Sequence, residues 1–347
     1  MNSTQNPWNF PVSLAPMVGL THVITRMVVR SYLPQGARTL WPTEMLNSRR
    51  LPHEKLGQTP ETIKDPTETD LVPQILGNEE EAIADSVAVL EEWGAIGIDI
   101  NMGCPVQKAL RHNYGVALMG DPVYAAQVVG MAVRNTKLPV SVKLRAGDQS
   151  DPDFLQNFSQ GLVQAGASWL CLHPRTAEQK RRGSADWNQV RDLKKALSVP
   201  LIGNGDIQTY QDVLDRLEQT SCDGIMVGRA LMARPWLLWQ VGHKLGWPSP
   251  AGRQSEILPW TPEEEGHAYG QMLLLWLDLA SKYLSNQDLI LRKFRFFLRT
   301  NHVWLPFGHS LVGLSTKAKS LDELKEELEK FFQKYPMEMS SITDLRQ

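Results

Sequence analysis

A chain of 347 residues, 42% hydrophobic and 21% charged, has room for one large domain and a smaller companion, and is too apolar to be disordered. Its formal net charge of −2 excludes a global basic field, so any nucleic-acid surface must be a local patch. Three widely spaced cysteines, Cys104, Cys171 and Cys222, form no Cys-x-x-Cys pair; this argues against a zinc ribbon or an iron–sulfur cluster, and no metal site is expected.

The low, odd cysteine count suits a reducing compartment. The first residues show no basic region followed by an apolar one, and no run of about 18 uncharged apolar residues occurs. These features predict a cytoplasmic protein without a membrane segment, a monomer with no obligate protein partner.

Short apolar runs alternate with amphipathic stretches. The first run is 12–15, with a helical pattern over 24–32. The second is 40–43, and residues 47–70 are polar, charged and punctuated by Pro, as in a long excursion. Run 72–76 precedes a helical period over 79–93. The later runs are 96–100, 140–144, 169–172, 200–202 and 224–227. Helical segments fall between them at 124–134, 154–165, 187–197 and 210–217. Continuous apolar strands separated by helices imply a parallel sheet buried on both faces. Eight such units in about 230 residues is the size of a (β/α)8 TIM barrel.

Met17, Glu44, Gln74, Asn101, Lys143, His173, Asn204 and Arg229 all fall at or just after the C-terminal end of a predicted strand. In a closed barrel those ends converge on one mouth, where such barrels build their sites. A doubly wound sheet would place its ligand at one switch point, and no Gly-x-Gly-x-x-Gly turn follows the first strand. Residues 235–260 carry several Pro and Gly and read as a linker, and 263–285, 287–300 and 321–335 as helices. The expected division is a barrel over 1–240, then a linker and small helical domain over 241–347.

Gly205 and Gly228 follow the seventh and eighth strands, where backbone N–H groups approach phosphates in such barrels, and Arg229 adds a charge. Singly, each glycine reads more readily as a tight-turn residue, but both falling after the correct two strands favours the phosphate reading. Lys143 at a barrel mouth needs a partner: an anionic cofactor, or a carboxylate such as Glu44. Gln74 both donates and accepts, as the polar edge of a flavin ring requires, but also as a loop backbone requires. His173 ends the sixth strand beside them. Cys104, between Gly103 and Pro105, sits on a sharp loop, whereas Cys171 and Cys222 look like inert core thiols. Arg292, Lys293, Arg295 and Arg299 interleave with Phe294, Phe296 and Phe297, with His302 and Trp304 just beyond. This is a candidate nucleic-acid surface or a solvated face beside a core stripe. Arg111, His112, Arg181 and Arg182 extend a positive rim.

With these residues placed, the chain resembles the bacterial, FMN-dependent tRNA-dihydrouridine synthase family. The resemblance runs from Leu14-Ala15-Pro16-Met17 through Thr43-Glu44-Met45, Gln74-Ile75-Leu76-Gly77 and Asp99-Ile100-Asn101-Met102-Gly103-Cys104-Pro105. It continues through Lys108, Gly115, Leu118 and Pro122 to His173-Pro174-Arg175-Thr176, Ala185-Asp186-Trp187, Gly203-Asn204-Gly205-Asp206-Ile207 and Gly228-Arg229-Ala230. The Asn-x-Gly-Cys-Pro element is the most specific part.

The resemblance implies FMN at the barrel mouth. Pro16, Met17 and Val18 would contact the ring through backbone, and Gln74 and Lys143 its polar edge, with His173 nearby. Asn204, Gly205, Asp206, Gly228 and Arg229 would hold the phosphate side. Asn101 would orient a flipped-out uracil, Arg175 would contact substrate, and Arg292 and Arg295 would hold tRNA. The implied reaction is reduction of the uridine C5–C6 bond, with hydride from FMN, itself reduced by NADPH or NADH, and a proton from Cys104. Two departures, Arg181 in place of an aromatic residue and the long 47–70 excursion, bear on how tRNA would dock. Two rivals are an FMN barrel enzyme acting on a free pyrimidine and a non-catalytic tRNA-binding factor.

Overall fold

Strands form where the apolar runs fall: β1 (Val12–Leu14), β2 (Trp41–Asn47), β3 (Leu71–Leu76), β4 (Ile98–Met102), β5 (Val140–Arg145), β6 (Trp169–His173), β7 (Leu201–Asn204) and β8 (Gly224–Val227). The computed structural model describes residues 7–105, 110–147, 150–179, 182–335 and 337–341. The strand order is β1-β8-β7-β6-β5-β4-β3-β2, with every hydrogen-bonded neighbour parallel. The ring closes between β1 and β2 without a regular ladder. Asn9 and Phe10 donate N–H to Arg38 O, and Thr39 Oγ1 donates to Val12 O at 2.6 Å. The expected (β/α)8 barrel is therefore the observed fold.

Most strands shift by a residue or two from their apolar runs, and β2 and β4 show why. β2 continues through a register shift between Pro42 and Met45, which carries Thr43 and Glu44 at the bulge. β4 begins and ends two residues later than predicted, because Asn101 and Met102 still pair with Lys143 and Leu144 of β5. Strand pairing outlasts apolarity at both sites.

Side-chain alternation explains the interior. Val72, Trp169, Cys171, Ile202 and Met226 share one cluster inside the barrel, while Ile75, Ile100, Val142, Leu144, Leu170, Leu172 and Ile225 pack outward on the helices. Continuing the period of two toward the C-terminal ends brings Gln74, Asn101, Lys143, His173 and Asn204 onto the inner face. The barrel is thus apolar at its base and polar at its mouth.

The surrounding helices are α1 (Val23–Arg30), α2 (Glu80–Trp93), α3 (Pro122–Asn135), α4 (Pro152–Gln164), α5 (Trp187–Ala196), α6 (Tyr210–Thr220), α7 (Arg229–Ala233) and α8 (Leu237–Lys244). Asp121 and Asp151 cap α3 and α4 through Tyr124 N and Phe154 N, with Pro at the first helical position of each. α8 occupies the stretch that Pro and Gly made look like a linker. Leu237, Leu238, Trp239, Gln240 and Val241 are all buried. Gly242 is buried as well, so six consecutive residues of α8 are covered.

Four further helices follow: α9 (Pro262–Tyr283), α10 (Gln287–Asn301), α11 (Gly308–Lys317) and α12 (Leu321–Lys334). The short, Gly-containing α11 has no counterpart among the predicted helices. Their apolar faces belong to the same continuous core as the barrel helices. Polar links reinforce the junction: Glu265 accepts from Arg234 Nε and Trp236 Nε1, each at 3.0 Å. Asn301 Nδ2 donates to Met232 O at 3.3 Å.

The 47–70 excursion also lies at this junction. Asp65 accepts from Lys282 Nζ at 2.8 Å and from Tyr283, and Glu61 accepts from Lys293 Nζ at 3.2 Å. Glu68 and Arg26 beneath it are fully buried and joined by two bonds of 2.7 and 2.9 Å. Among the described residues, no helix is long and apolar enough to cross a membrane.

Candidate active site at the barrel mouth

The loop after β4 holds Cys104. Asn101 Oδ1 accepts from Gly103 N at 3.2 Å and Cys104 N at 3.0 Å, and Arg145 Nε donates to Gly103 O at 2.9 Å. Val116 N donates to Cys104 O. Gly115 lies at φ +60, and a Cβ there would stand 2.6 Å from Cys104 O, so only glycine lets the two segments approach this closely. Cys104 is partly exposed, whereas Cys171 and Cys222 are buried. Burial pushes the Cys171 thiol up to about 12 and raises Cys222 as well, as expected of inert thiols. Residues 106–109, including Lys108, lie outside the described residues.

Gln74 sits directly behind this loop. Its Oε1 accepts from Asn101 Nδ2 at 2.7 Å, and its Nε2 donates to Asp99 Oδ2 at 2.6 Å. Lys143 Nζ donates to Asn204 Oδ1 at 3.1 Å, and Asn204 Nδ2 donates to Met226 O at 2.7 Å. An amide oxygen therefore holds Lys143, while Glu44 accepts from Gly19 N at 2.5 Å on the far side of the β1 loop. Burial lowers the Lys143 pKa. Burial, followed by the charges of Lys143, Arg145, Arg175 and Arg229, holds His173 well below its ordinary value, so its ring is neutral at pH 7.

The β1 loop carries Pro16, Met17 and Val18. Met17 N donates to Thr21 Oγ1 at 3.0 Å, and that hydroxyl donates to Ala15 O at 2.8 Å. Val18 is exposed. A Cβ at Gly228, the residue before α7 and Arg229, would stand 3.2 Å from Met17 Sδ, so the eighth strand's end meets this loop. Gly205 and Asp206 both have positive φ, of 129 and 54 degrees.

Arg175 does something other than the sequence suggests. It is buried, with Nη2 at 2.7 and 2.8 Å from the Asp206 carboxylate and 2.6 Å from Gly183 O, and with Nε on Arg182 O at 3.3 Å. Asp206 also accepts from Ala185 N at 2.7 Å. The pair ties the loops after β6 and β7 together, while Arg175 Nη1 lies 3.4 Å from His173 Nε2.

The basic helix, α10, divides along its faces. Phe294 and Phe297 are buried, as is Trp304 beyond the helix, while Arg292, Phe296 and Arg299 are exposed along one side. Arg295 is half-buried and donates to Ser315 O and Ala318 O, each at 2.9 Å, closing the end of α11. That gives it a structural task in place of the tRNA contact expected from its charge. Phe296 reaches the barrel mouth: a Cβ at Gly19 would stand 2.6 Å from its ring. Arg111, His112 and Arg182 are exposed on the rim, and Arg181 lies outside the described residues.

Sequence reading passed over Asp99, Arg145 and the distinct position of Phe296. The signal for the first two was present: Asp99 is two residues before Asn101, and Arg145 two after Lys143, on the same inward register. Among the described residues, no cluster of His, Cys, Asp and Glu is suited to a metal.

A family model described as dihydrouridine synthase matches residues 13–257. A probable tRNA-dihydrouridine synthase of Rickettsia bellii is 35% identical over 67% of this chain and 71% of its own length. Those of Synechocystis (probable tRNA-dihydrouridine synthase 1) and Aquifex aeolicus are each 34% identical. The first aligns over 66% of this chain and 63% of its own, the second over 67% and 73%. A solved nitroalkane oxidase from Streptomyces ansochromogenes aligns with a TM-score of 0.41 at 13% identity, over 65% of this chain and 67% of that one, too distant a likeness to bear on function.

Proposed function

The chain belongs to the dihydrouridine synthase family, and from that premise we propose that its barrel mouth reduces the C5–C6 double bond of uridines in tRNA to 5,6-dihydrouridine. One observation carries the assignment of roles. A partly exposed thiol, Cys104, is pinned from two sides by Asn101 and Arg145 at the same mouth as Lys143 and a neutral His173.

The lining fits FMN. Lys143, Arg145, Arg175 and Arg229 are all close enough to act on His173, a gathering of basic side chains that suits a phosphate-bearing ring system. Gly205 and Gly228, where a Cβ would crowd Ala185 and His173 or Met17, let the backbone come close to those neighbours at the ends of β7 and β8, the side where such barrels take phosphate. Pro16, Met17 and Val18 would flank the ring through backbone. Lys143, Gln74 and His173 would meet its polar edge, and Asn204, Asp206 backbone and Arg229 the phosphate side. When bound, the flavin supplies hydride to C6, drawn in turn from NADPH or NADH.

The protein's own chemistry is proton transfer and positioning. Cys104 gives its thiol proton to C5, and the thiolate left behind regains a proton from solvent. One hydride and one proton are thereby added across C5=C6. Asn101 holds the thiol loop beside the place the uracil must take. The base must leave the tRNA stack to reach it. Arg292, Phe296 and Arg299 form the nearest exposed basic–aromatic surface on the helical unit, and Phe296 makes it continuous with the mouth.

The test is direct. Purified protein is expected to carry a flavin absorption band and to form dihydrouridine in unmodified tRNA with NADPH or NADH. Cys104→Ala is expected to lose at least about 10²-fold in rate while retaining the flavin. Wild-type rate in that variant would remove Cys104 as the acid. Equal turnover of free uridine would favour a small-molecule enzyme instead.

A further inference from the structure

Hydrogen bonds at the mouth form one directed chain. Its far end is Asp99, a buried carboxyl on β4 that no step above uses. Asp99 Oδ1 accepts from Ser141 Oγ and Oδ2 from Gln74 Nε2, both at 2.6 Å. Gln74 Oε1 then accepts from Asn101 Nδ2, and Asn101 Oδ1 accepts from Gly103 N and Cys104 N. The backbone end can only donate, and the carboxylate end can only accept. Between them stand two amides, each able to turn over and exchange donor for acceptor. Only one orientation of each satisfies both ends.

We propose that Asp99 is a positioning residue for Cys104: by accepting from Gln74 it fixes the sense of both amides and keeps Asn101 Oδ1 facing the thiol loop. The catalytic consequence rests on the reading of Cys104 as the proton donor. The geometric claim does not. Without an acceptor at 99, Gln74 is free to turn, Asn101 turns with it, and an amide NH2 then faces two backbone N–H donors. The loop loses the bonds that hold its N–H side beside the substrate, and keeps those on its carbonyl side, from Arg145 Nε to Gly103 O and from Val116 N to Cys104 O.

Substitution at 99 separates orientation from mere burial. Asp99→Leu removes the acceptor. Asp99→Asn keeps one, since its Oδ1 can face Gln74 while its Nδ2 donates to the Ser141 hydroxyl oxygen. Adding Ser141→Ala to Asp99→Asn removes that constraint with little change in volume, which provides a second probe should the leucine variant fold poorly.

The first readout is the iodoacetamide alkylation rate of Cys104, followed by peptide mass spectrometry with the buried Cys171 and Cys222 as internal controls. It requires no turnover. Asp99→Leu and the double variant are expected to alkylate severalfold faster than wild type, and Asp99→Asn to return toward the wild-type rate. Single-turnover uridine reduction is expected to fall by about 10²-fold in Asp99→Leu and to recover in Asp99→Asn, with tRNA affinity little changed. Wild-type alkylation in both Asp99→Leu and the double variant overturns the proposal, as does an Asp99→Asn protein indistinguishable from Asp99→Leu. If Cys104→Ala still makes dihydrouridine at full rate, the role of the acid falls while the alkylation result stands.

Discussion

Replacing Glu44 by Gln should change how stability depends on pH. Glu44 is 3% exposed; its Oε2 accepts from Gly19 N, while its Oε1 is buried without a partner among the described residues. Burial raises its carboxyl from the ordinary 4.5 to about 7. The Gly19 N–H and the charges of Lys293 and Arg26 pull it down, and Glu61 pushes it up. The folded protein therefore holds this proton more tightly than the unfolded chain does. Its contribution is fully present below about pH 4.5 and is lost as pH rises through about 7, in all about 3 kcal/mol. The replacement amide stays neutral and can still accept from Gly19, so the stability of Glu44→Gln should lack this component. Urea unfolding followed by tryptophan fluorescence, at equal flavin content from about pH 5 to about pH 8, measures the difference. The variant should gain on the wild type across that range by an amount approaching 3 kcal/mol. A difference that stays flat with pH would refute the reasoning.

Arg26→Met leaves Glu68 in a fully buried site with Arg30 at 3.3 Å as its remaining cation and the Asp65 N–H at 3.1 Å, among the described residues, and should cost about 3–5 kcal/mol in the same urea assay. Arg292→Ala should lower tRNA affinity and reduce the slope of log affinity against log salt by about one. Arg295→Ala should instead lower the unfolding midpoint, because its guanidinium closes α11, and should leave that slope unchanged.

Much of the barrel was legible because its strands are short apolar runs and its helices periodic. What escaped has physical causes. α8 is eight residues long and lies among Pro235, Gly246, Pro248 and Pro250, whose turn-forming character masks it. The end of β4 is polar because Asn101 faces the mouth, and an apolarity criterion stops one residue short of it. In the candidate site, residue types announced the chemistry but not the partners. Lys143 was correctly expected to need company, and a sequence cannot tell Asn204 from Glu44 as the group beside it. Charge alone did not show the partners of Arg175 and Arg295. A guanidinium buried on carbonyls and one facing solvent are identical letters, and only the packing of the loop after β6 and of α11 decides between them.

The 47–70 excursion has a consequence for substrate choice. Because Glu61 braces Lys293 on α10 and Asp65 braces Lys282 and Tyr283 at the end of α9, neither helix can swing independently of the barrel without breaking those contacts. The spacing between Cys104 and the exposed row of Arg292, Phe296 and Arg299 is then a set length, like the throat of a gauge. On the proposed function, an RNA held along that row would offer only the nucleotide that lies one gauge length away, and changes in the 47–70 loop are expected to shift the position modified by altering the gauge.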